Sequence, residues 1–154
     1  MLPVRPEIVR LKPYVPGKPI AEVQREYGLQ QVIKLASNEN PLGPSPKALE
    51  AIAIAARDLH VYPEVTCRLL REALAGTLEF PADWVMVGNG SDELLRLLAA
   101  AYVRAGDRCL VSACSFPNYR AVTELFGGVV DEVPLKAETM DLEEMAKRAP
   151  GARA

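Results

Sequence analysis

The 154-residue chain is 49% hydrophobic and 25% charged, with a formal net charge of −2. Those proportions are ordinary for a soluble globular protein able to bury one real core. Near-neutral charge with dispersed Lys and Arg leaves no electrostatic footprint for nucleic acid or for a membrane surface.

Prolines at 3, 6, 13, 16 and 19 predict an extended arm over residues 1–19. Residues 19–27 read as a short helix stopped by Gly28, and 31–36 as a short β-prone run. The polar stretch Ser37-Asn38-Glu39-Asn40-Pro41-Leu42-Gly43-Pro44 follows as a turn-rich loop. Ser45 then caps a helix with Pro46 at its first position and an apolar face of Leu49, Ile52, Ala53, Ala56 and Leu59. Tyr62-Pro63 breaks the chain before a second amphipathic helix through Leu69, Leu70, Ala73 and Leu74 to Gly76.

From Trp84 the rhythm alternates: strand 84–87, helix 92–104, strand 108–112, helix 118–126 and strand 129–133. Gly106 and Gly127-Gly128 mark the helix ends. This spacing predicts βαβ units and a largely parallel sheet. Asp141 and Glu144 form a capping-box pattern for a last helix, 142–149. The pattern then calls for another strand, so the chain reads as a fragment of a larger α/β domain.

No N-terminal run resembles a secretory signal, and the most apolar stretch, 94–103, is interrupted by Arg96 and too short to span a bilayer. A cytoplasmic location is the expectation. Cys67, Cys109 and Cys114 are odd in number and lack metal-ligand spacing. They read as reduced thiols, with Cys109 a buried small hydrophobe. His60 is the one histidine, so a His-based metal site or a Ser/His/Asp triad has little support.

The stretch Val87-Gly88-Asn89-Gly90-Ser91-Asp92-Glu93 carries the most chemistry. It runs from an apolar segment through two glycines into a new helix. The first N–H groups of a helix have no partner inside it, and the macrodipole adds positive potential there. Glycine permits positive φ and close approach of backbone to a phosphate, and Ser91 adds a hydroxyl donor. Two readings stand on these residues alone: a phosphate seat, or a Gly-rich βα loop with a capped helix. A dinucleotide site is disfavoured, because Glu93 stands where the third glycine of GxGxxG belongs.

Four signatures occur in one order: Lys34-Leu35-Ala36-Ser37-Asn38-Glu39-Asn40-Pro41-Leu42-Gly43, Tyr62-Pro63, Gly88-Asn89-Gly90-Ser91-Asp92-Glu93-Leu94, and Ser115-Phe116-Pro117-Asn118-Tyr119. Together they resemble the N-terminal part of the histidinol-phosphate aminotransferase family, fold type I pyridoxal-phosphate enzymes. The resemblance implies an arm and small-domain segment over 1–45 and the first part of a cofactor-binding large domain over 46–154. It implies pyridoxal 5'-phosphate as cofactor, with Gly90, Ser91, Asp92 and Glu93 at its phosphate and Phe116 stacked on its pyridine ring. Tyr62 is implied to reach the phosphate held by a partner subunit of a homodimer, and Asn38 and Glu39 to face substrate. Val61 departs from the family, where a basic residue often precedes Tyr-Pro, as does Cys114, where Pro is usual.

The activity implied is transamination between histidinol phosphate and 2-oxoglutarate in histidine biosynthesis. A threonine-phosphate decarboxylase or aromatic aminotransferase of the same fold is the enzymatic alternative. A non-catalytic phosphate-binding α/β module is the alternative of another class. The lysine that carries the cofactor, the carboxylate facing the pyridinium nitrogen and the arginine for the substrate carboxylate are all expected beyond Ala154. Lys12, Lys18, Lys34, Lys47, Lys136 and Lys147 lie in no matching context, so these 154 residues alone are expected to be inactive.

Overall fold

The computed structural model describes residues 3–12 and 17–154. Two compact units emerge: the described residues up to Lys12 belong with Leu69–Ala154, and those from Gly17 to Arg68 form the other.

In the first unit, α1 (Pro6–Arg10) replaces the start of the expected extended arm. Proline suits the first helical position because its missing N–H would have had no partner there. Arg5 Nη2 anchors this segment on the carbonyl of Leu125 at 2.8 Å. The arm's prolines at 13 and 16 lie outside the described residues.

Helix α4 (Arg68–Leu78) leads through a 3-10 turn (Ala82–Trp84) to α5 (Gly90–Tyr102). The expected strand at 84–87 does not form. Pro81 starts the turn, and Val85 is extended (φ −99°, ψ 120°) but joins no sheet. Its carbonyl is taken by Arg71 Nε of α4 at 2.9 Å, and the same guanidinium holds the carbonyl of Ala82 at 2.7 Å through Nη2. A side chain thus occupies an acceptor that a neighbouring strand would need.

The next elements follow the expected alternation: β1 (Arg108–Ser112), α6 (Pro117–Leu125) and β2 (Val129–Val133). β1 and β2 pair in parallel from Arg108↔Val129 to Ser112↔Val133. Cys109 and Val133 are buried between the layers, as is Val122 of α6. Leu95, Leu98 and Tyr102 of α5, with Tyr119 and Val122 of α6 and Met145, line an apolar cavity of about 430 Å³.

A hairpin absent from the sequence reading, β3 (Leu135–Lys136) with β4 (Thr139–Met140), turns through Ala137 and Glu138, both at positive φ (49° and 63°). Helix α7 (Leu142–Arg148) starts as expected, with Asp141 Oδ1 accepting the Glu144 N–H at 3.0 Å.

The free edge of β1 takes up the chain's last residues. Arg153 N donates to Arg108 O at 2.7 Å and Leu110 N to Ala154 O at 2.7 Å. An ion network fixes this register. Arg108 Nη1 lies 2.6 Å from Asp131, Arg148 bridges Asp131 (3.1 Å) and Glu144 (2.8 Å), and Arg108 Nη2 donates to the carbonyls of Arg148 and Pro150.

In the second unit, α2 (Ile20–Tyr27) ends on Gly28 in the left-handed region (φ 65°), as expected. Residues 31–36 form no strand, and Ile33 and Leu35 stay about nine-tenths exposed. α3 (Pro46–Ala55) has Pro46 in its first turn, but Ser45 caps through its backbone carbonyl alone. No described residue from Gly17 to Arg68 is buried, so the apolar face of α3 is open. Glu64 prepares the start of α4 by accepting from the Thr66 hydroxyl and from the N–H groups of Arg68 (2.7 Å) and Thr66 (2.9 Å). These bonds, the hydroxyl first, push its pKa down to about 2. Among the described residues no helix is long and apolar enough to cross a membrane.

Bonds to Arg108 first, then Arg148, hold the Asp131 carboxyl below its ordinary value. A carboxyl with a lowered folded-state pKa stabilises the fold above its unfolded pKa of about 4, and that stabilisation is lost as pH falls through the folded value. Asp131→Asn is therefore expected to lower the melting temperature at pH 7. The gap to wild type should close in thermal melts carried down towards pH 2.

Candidate phosphate site

The ends of the elements define two edges of the first unit. Gly106 N bonds Gly127 O at 2.8 Å and Val129 N bonds Asp107 O at 2.8 Å. The ends of α5 and α6 therefore meet the starts of β1 and β2 at one edge. α5 has 13 residues and spans about 20 Å. Its first turn consequently lies towards the opposite edge, with the end of β1 and the start of α6. Ligands of open α/β sheets bind at this carboxyl edge of the strands.

Gly90 N donates to Gly88 O at 2.8 Å, closing a three-residue turn, and Gly90 has φ +78°. Asn89 precedes the helix without a side-chain cap bond. Ser91 and Asp92 belong to the first turn, where N–H groups have no intrahelical acceptor. Ser91 is exposed and Asp92 half-buried, and neither side chain is engaged among the described residues. Two backbone donors, one hydroxyl and the positive helix end suit a phosphate monoester, whose oxygens accept several bonds at once.

The two glycines of the turn differ in what a side chain would meet. At Gly88 a Cβ would come within 2.9 Å of Leu94 Cδ2 and 3.0 Å of Glu93 Oε2. A Cβ on Gly90 would meet nothing within 4 Å, so the constraint there is the positive φ. Glu93 folds its carboxylate back onto the Asn89 N–H.

Phe116 directly precedes α6, beyond the carboxyl end of β1. It is 41% exposed and meets the Tyr119 ring edge to face at 5.9 Å. A ring held on one side and open on the other is suited to stacking on a flat ligand. Cys114 in the same loop is exposed and has φ 59°. Cys109 is buried, as its apolar surroundings in the sequence implied.

Asn38, Glu39 and Tyr62 belong to the other unit. Asn38 has φ 50°, Glu39 pairs with Lys34 Nζ at 2.5 Å, and Asn40 Oδ1 accepts Leu42 N at 3.0 Å in an Asx turn. Tyr62 is 98% exposed.

Three contributors escaped the sequence reading. Arg71 holds the strand-like approach to the glycine turn, and nothing local in the sequence pairs it with Ala82 and Val85. Asn118 stood in the fourth signature, but its burial in the first turn of α6, at 9% exposure, was not readable there. The fold-back of Glu93 reaches four residues back to the Asn89 N–H, one more than the spacing of a capping box, so no standard helix-start pattern signalled it. Among the described residues no cluster of His, Cys, Asp or Glu could hold a metal ion.

Residues 30–153 match the family model described as aminotransferase class I and II. The chain is 54% identical over 149 residues to the histidinol-phosphate aminotransferase of Symbiobacterium thermophilum, covering 97% of this chain and 41% of that protein. Against the enzyme of the same name from Caldicellulosiruptor saccharolyticus, identity is 47% over 142 residues, covering 92% and 40%. The chain thus spans about two-fifths of the length of these relatives. Among solved structures it resembles histidinol-phosphate aminotransferase from Sinorhizobium meliloti in complex with pyridoxal-5'-phosphate. The TM-score is 0.83 at 28% identity, over 96% of this chain and 39% of that one.

The two glycines separate two constraints. Gly90→Ala is expected to cost about 1–2 kcal/mol in chemical denaturation, the scale for an L side chain in the left-handed region. Gly90→Asn should recover part of the loss, because Asn tolerates that region. Gly88→Ala should act through its contacts with Glu93 and Leu94, so Gly88→Asn is expected to be worse than Gly88→Ala.

Proposed function

The chain belongs to the aminotransferase class I and II family, and we propose that it is the N-terminal part of a transaminase that uses pyridoxal 5'-phosphate. The reaction proposed is amino-group exchange between histidinol phosphate and 2-oxoglutarate, giving glutamate, in histidine biosynthesis in the cytoplasm. The observation that carries the reading is the first turn of α5, whose Ser91 and Asp92 N–H groups are open to an anion behind the Gly88–Gly90 turn. Similarity to enzymes named for this substrate supports it over a threonine-phosphate decarboxylase, an aromatic aminotransferase or a non-catalytic binding module.

When bound, pyridoxal phosphate supplies a ring that withdraws electrons from the substrate's α-carbon. This chain's residues hold and orient. The N–H groups of Ser91 and Asp92, with the Ser91 hydroxyl, grip the phosphate, and Gly90 keeps the backbone open to it. Phe116 covers one face of the ring and excludes water. Asp92 contributes its backbone, since a carboxylate turned towards a dianion is repulsive, and the Glu93 carboxylate is folded back onto the Asn89 N–H. Asn38 and Glu39 face substrate, with Lys34 orienting the Glu39 carboxylate.

The lysine, carboxylate and arginine that complete the chemistry are proposed to lie beyond Ala154. We assign residues 1–45 to the arm and small-domain segment and 46–154 to the cofactor-binding domain. A homodimer with shared sites is part of the same reading. Tyr62 is fully exposed, as a side chain that reaches a partner's phosphate would need to be.

Full-length protein carrying this chain should transaminate histidinol phosphate with 2-oxoglutarate. Negligible turnover beside rapid decarboxylation of threonine phosphate would overturn the substrate assignment. In titrations of apoprotein with pyridoxal phosphate, Tyr62→Phe is expected to lose about 1–3 kcal/mol of affinity, the scale for a hydrogen bond to a charged group. Gly90→Val should lose more than Ser91→Ala, because it strains the turn that presents several donors.

A further inference from the structure

We infer that Glu93 is a positioning residue, which sets the shape of the phosphate seat by closing the turn ahead of α5 and does so without touching the ligand. The inference rests on the functional reading above and assigns Glu93 a role distinct from that of Ser91 and Asp92.

The Gly88–Gly90 turn has little to hold it. Its internal bond spans only two residues, from Gly90 N to Gly88 O at 2.8 Å, and Gly90 sits at φ +78°. Asn89, placed where a side chain usually caps the helix, makes no cap bond. The carboxylate of Glu93, one helical turn further on, accepts the Asn89 N–H instead. It does so from directly above Gly88, where only a missing Cβ leaves room for Glu93 Oε2 and Leu94 Cδ2. Gly88 and Glu93 thus work as a pair: the glycine admits the carboxylate, and the carboxylate pins the backbone that Gly88 leaves flexible.

This arrangement fixes which donors face a ligand. The Asn89 N–H is spent internally, and the N–H groups of Ser91 and Asp92 remain. The pin has an electrostatic consequence. A carboxylate at a helix N-terminus is favourable while the seat is empty, because it meets the positive end of the macrodipole. Beside a bound phosphate it is a like charge. Glu93 therefore trades affinity for geometry, and the two effects separate chemically. Glutamine keeps an acceptor oxygen and loses the charge, whereas alanine loses both.

The test uses full-length protein with Glu93→Gln and Glu93→Ala. Amide hydrogen exchange at Asn89 is followed in the unliganded state, and pyridoxal phosphate is titrated at low and high salt. Asn89 exchange is expected to be slow in wild type and Glu93→Gln and fast in Glu93→Ala. Glu93→Gln should bind the cofactor about three- to tenfold more tightly at low salt, the scale of one like charge removed at this range, with the gain shrinking at high salt. Glu93→Ala should bind more weakly than wild type. Equal loss of binding in both variants would mean that the carboxylate contacts the ligand, and unchanged Asn89 exchange in Glu93→Ala would mean that it does not hold the turn. Either result overturns the inference. If wild type itself failed to bind pyridoxal phosphate while Asn89 exchange followed the expected pattern, the functional reading would fall and the role of Glu93 in the turn would stand.

Discussion

Parallel pairing of β1 with β2 constrains everything around the candidate site. Two parallel neighbours need a crossover that returns the chain to the starting edge, and α6 supplies it. α5 must likewise run back across the layer to deliver β1. Both helices therefore end near the starts of the strands, where Gly127 approaches the Ala105 backbone to 3.2 Å of its would-be Cβ. Their first turns are left at the other edge. The proposed phosphate seat at the start of α5 and the proposed stacking ring, Phe116, are apart in sequence, yet the same pairing sends both to the carboxyl ends of the strands.

Pairing alone leaves β1 with an unused edge. Arg108 and its ion partners govern that edge, because one guanidinium ties Asp131 of β2 to the carbonyls of Arg148, at the end of α7, and Pro150, and steers Arg153 and Ala154 alongside β1. Surface ion pairs are individually weak. Here the geometry matters more than the energy, since each bond joins a different element to the same strand. The side-chain clasp of Arg71 plays the matching part before α5. It holds Ala82 and Val85 so that the chain enters the glycine turn extended, without a neighbouring strand.

Much of this was legible in the residues. Strands β1 and β2 appear where apolar β-formers are bounded by glycines, Gly28 stops α2 in the left-handed region, and Asp141 caps α7. What was missed depended on distant partners or on unusual backbone. The segment 84–87 has a strand's composition, but pairing is not a local property, and Arg71 holds its Val85 carbonyl. Pro6 reads as a breaker and as a helix start with equal ease. The β3–β4 hairpin turns through Ala137 and Glu138, neither of which advertises positive φ. At the site, the glycine turn and the open helix start were legible as chemistry. The division of labour within it was not: Gly88 takes the steric load, Gly90 the conformational one, and Glu93 serves the turn.

The exposed apolar residues from Gly17 to Arg68 and the thin core of the other unit fit a chain that spans about two-fifths of the length of its relatives. The central claim is narrower than that, and concerns where a phosphate sits. It is tested most directly by a crystal structure of full-length protein with pyridoxal phosphate bound. The account predicts phosphate oxygens at about 2.7–3.2 Å from the backbone nitrogens of Ser91 and Asp92, with the Phe116 ring lying against the pyridine. A phosphate seated away from the start of α5, with those N–H groups turned to solvent, would contradict it.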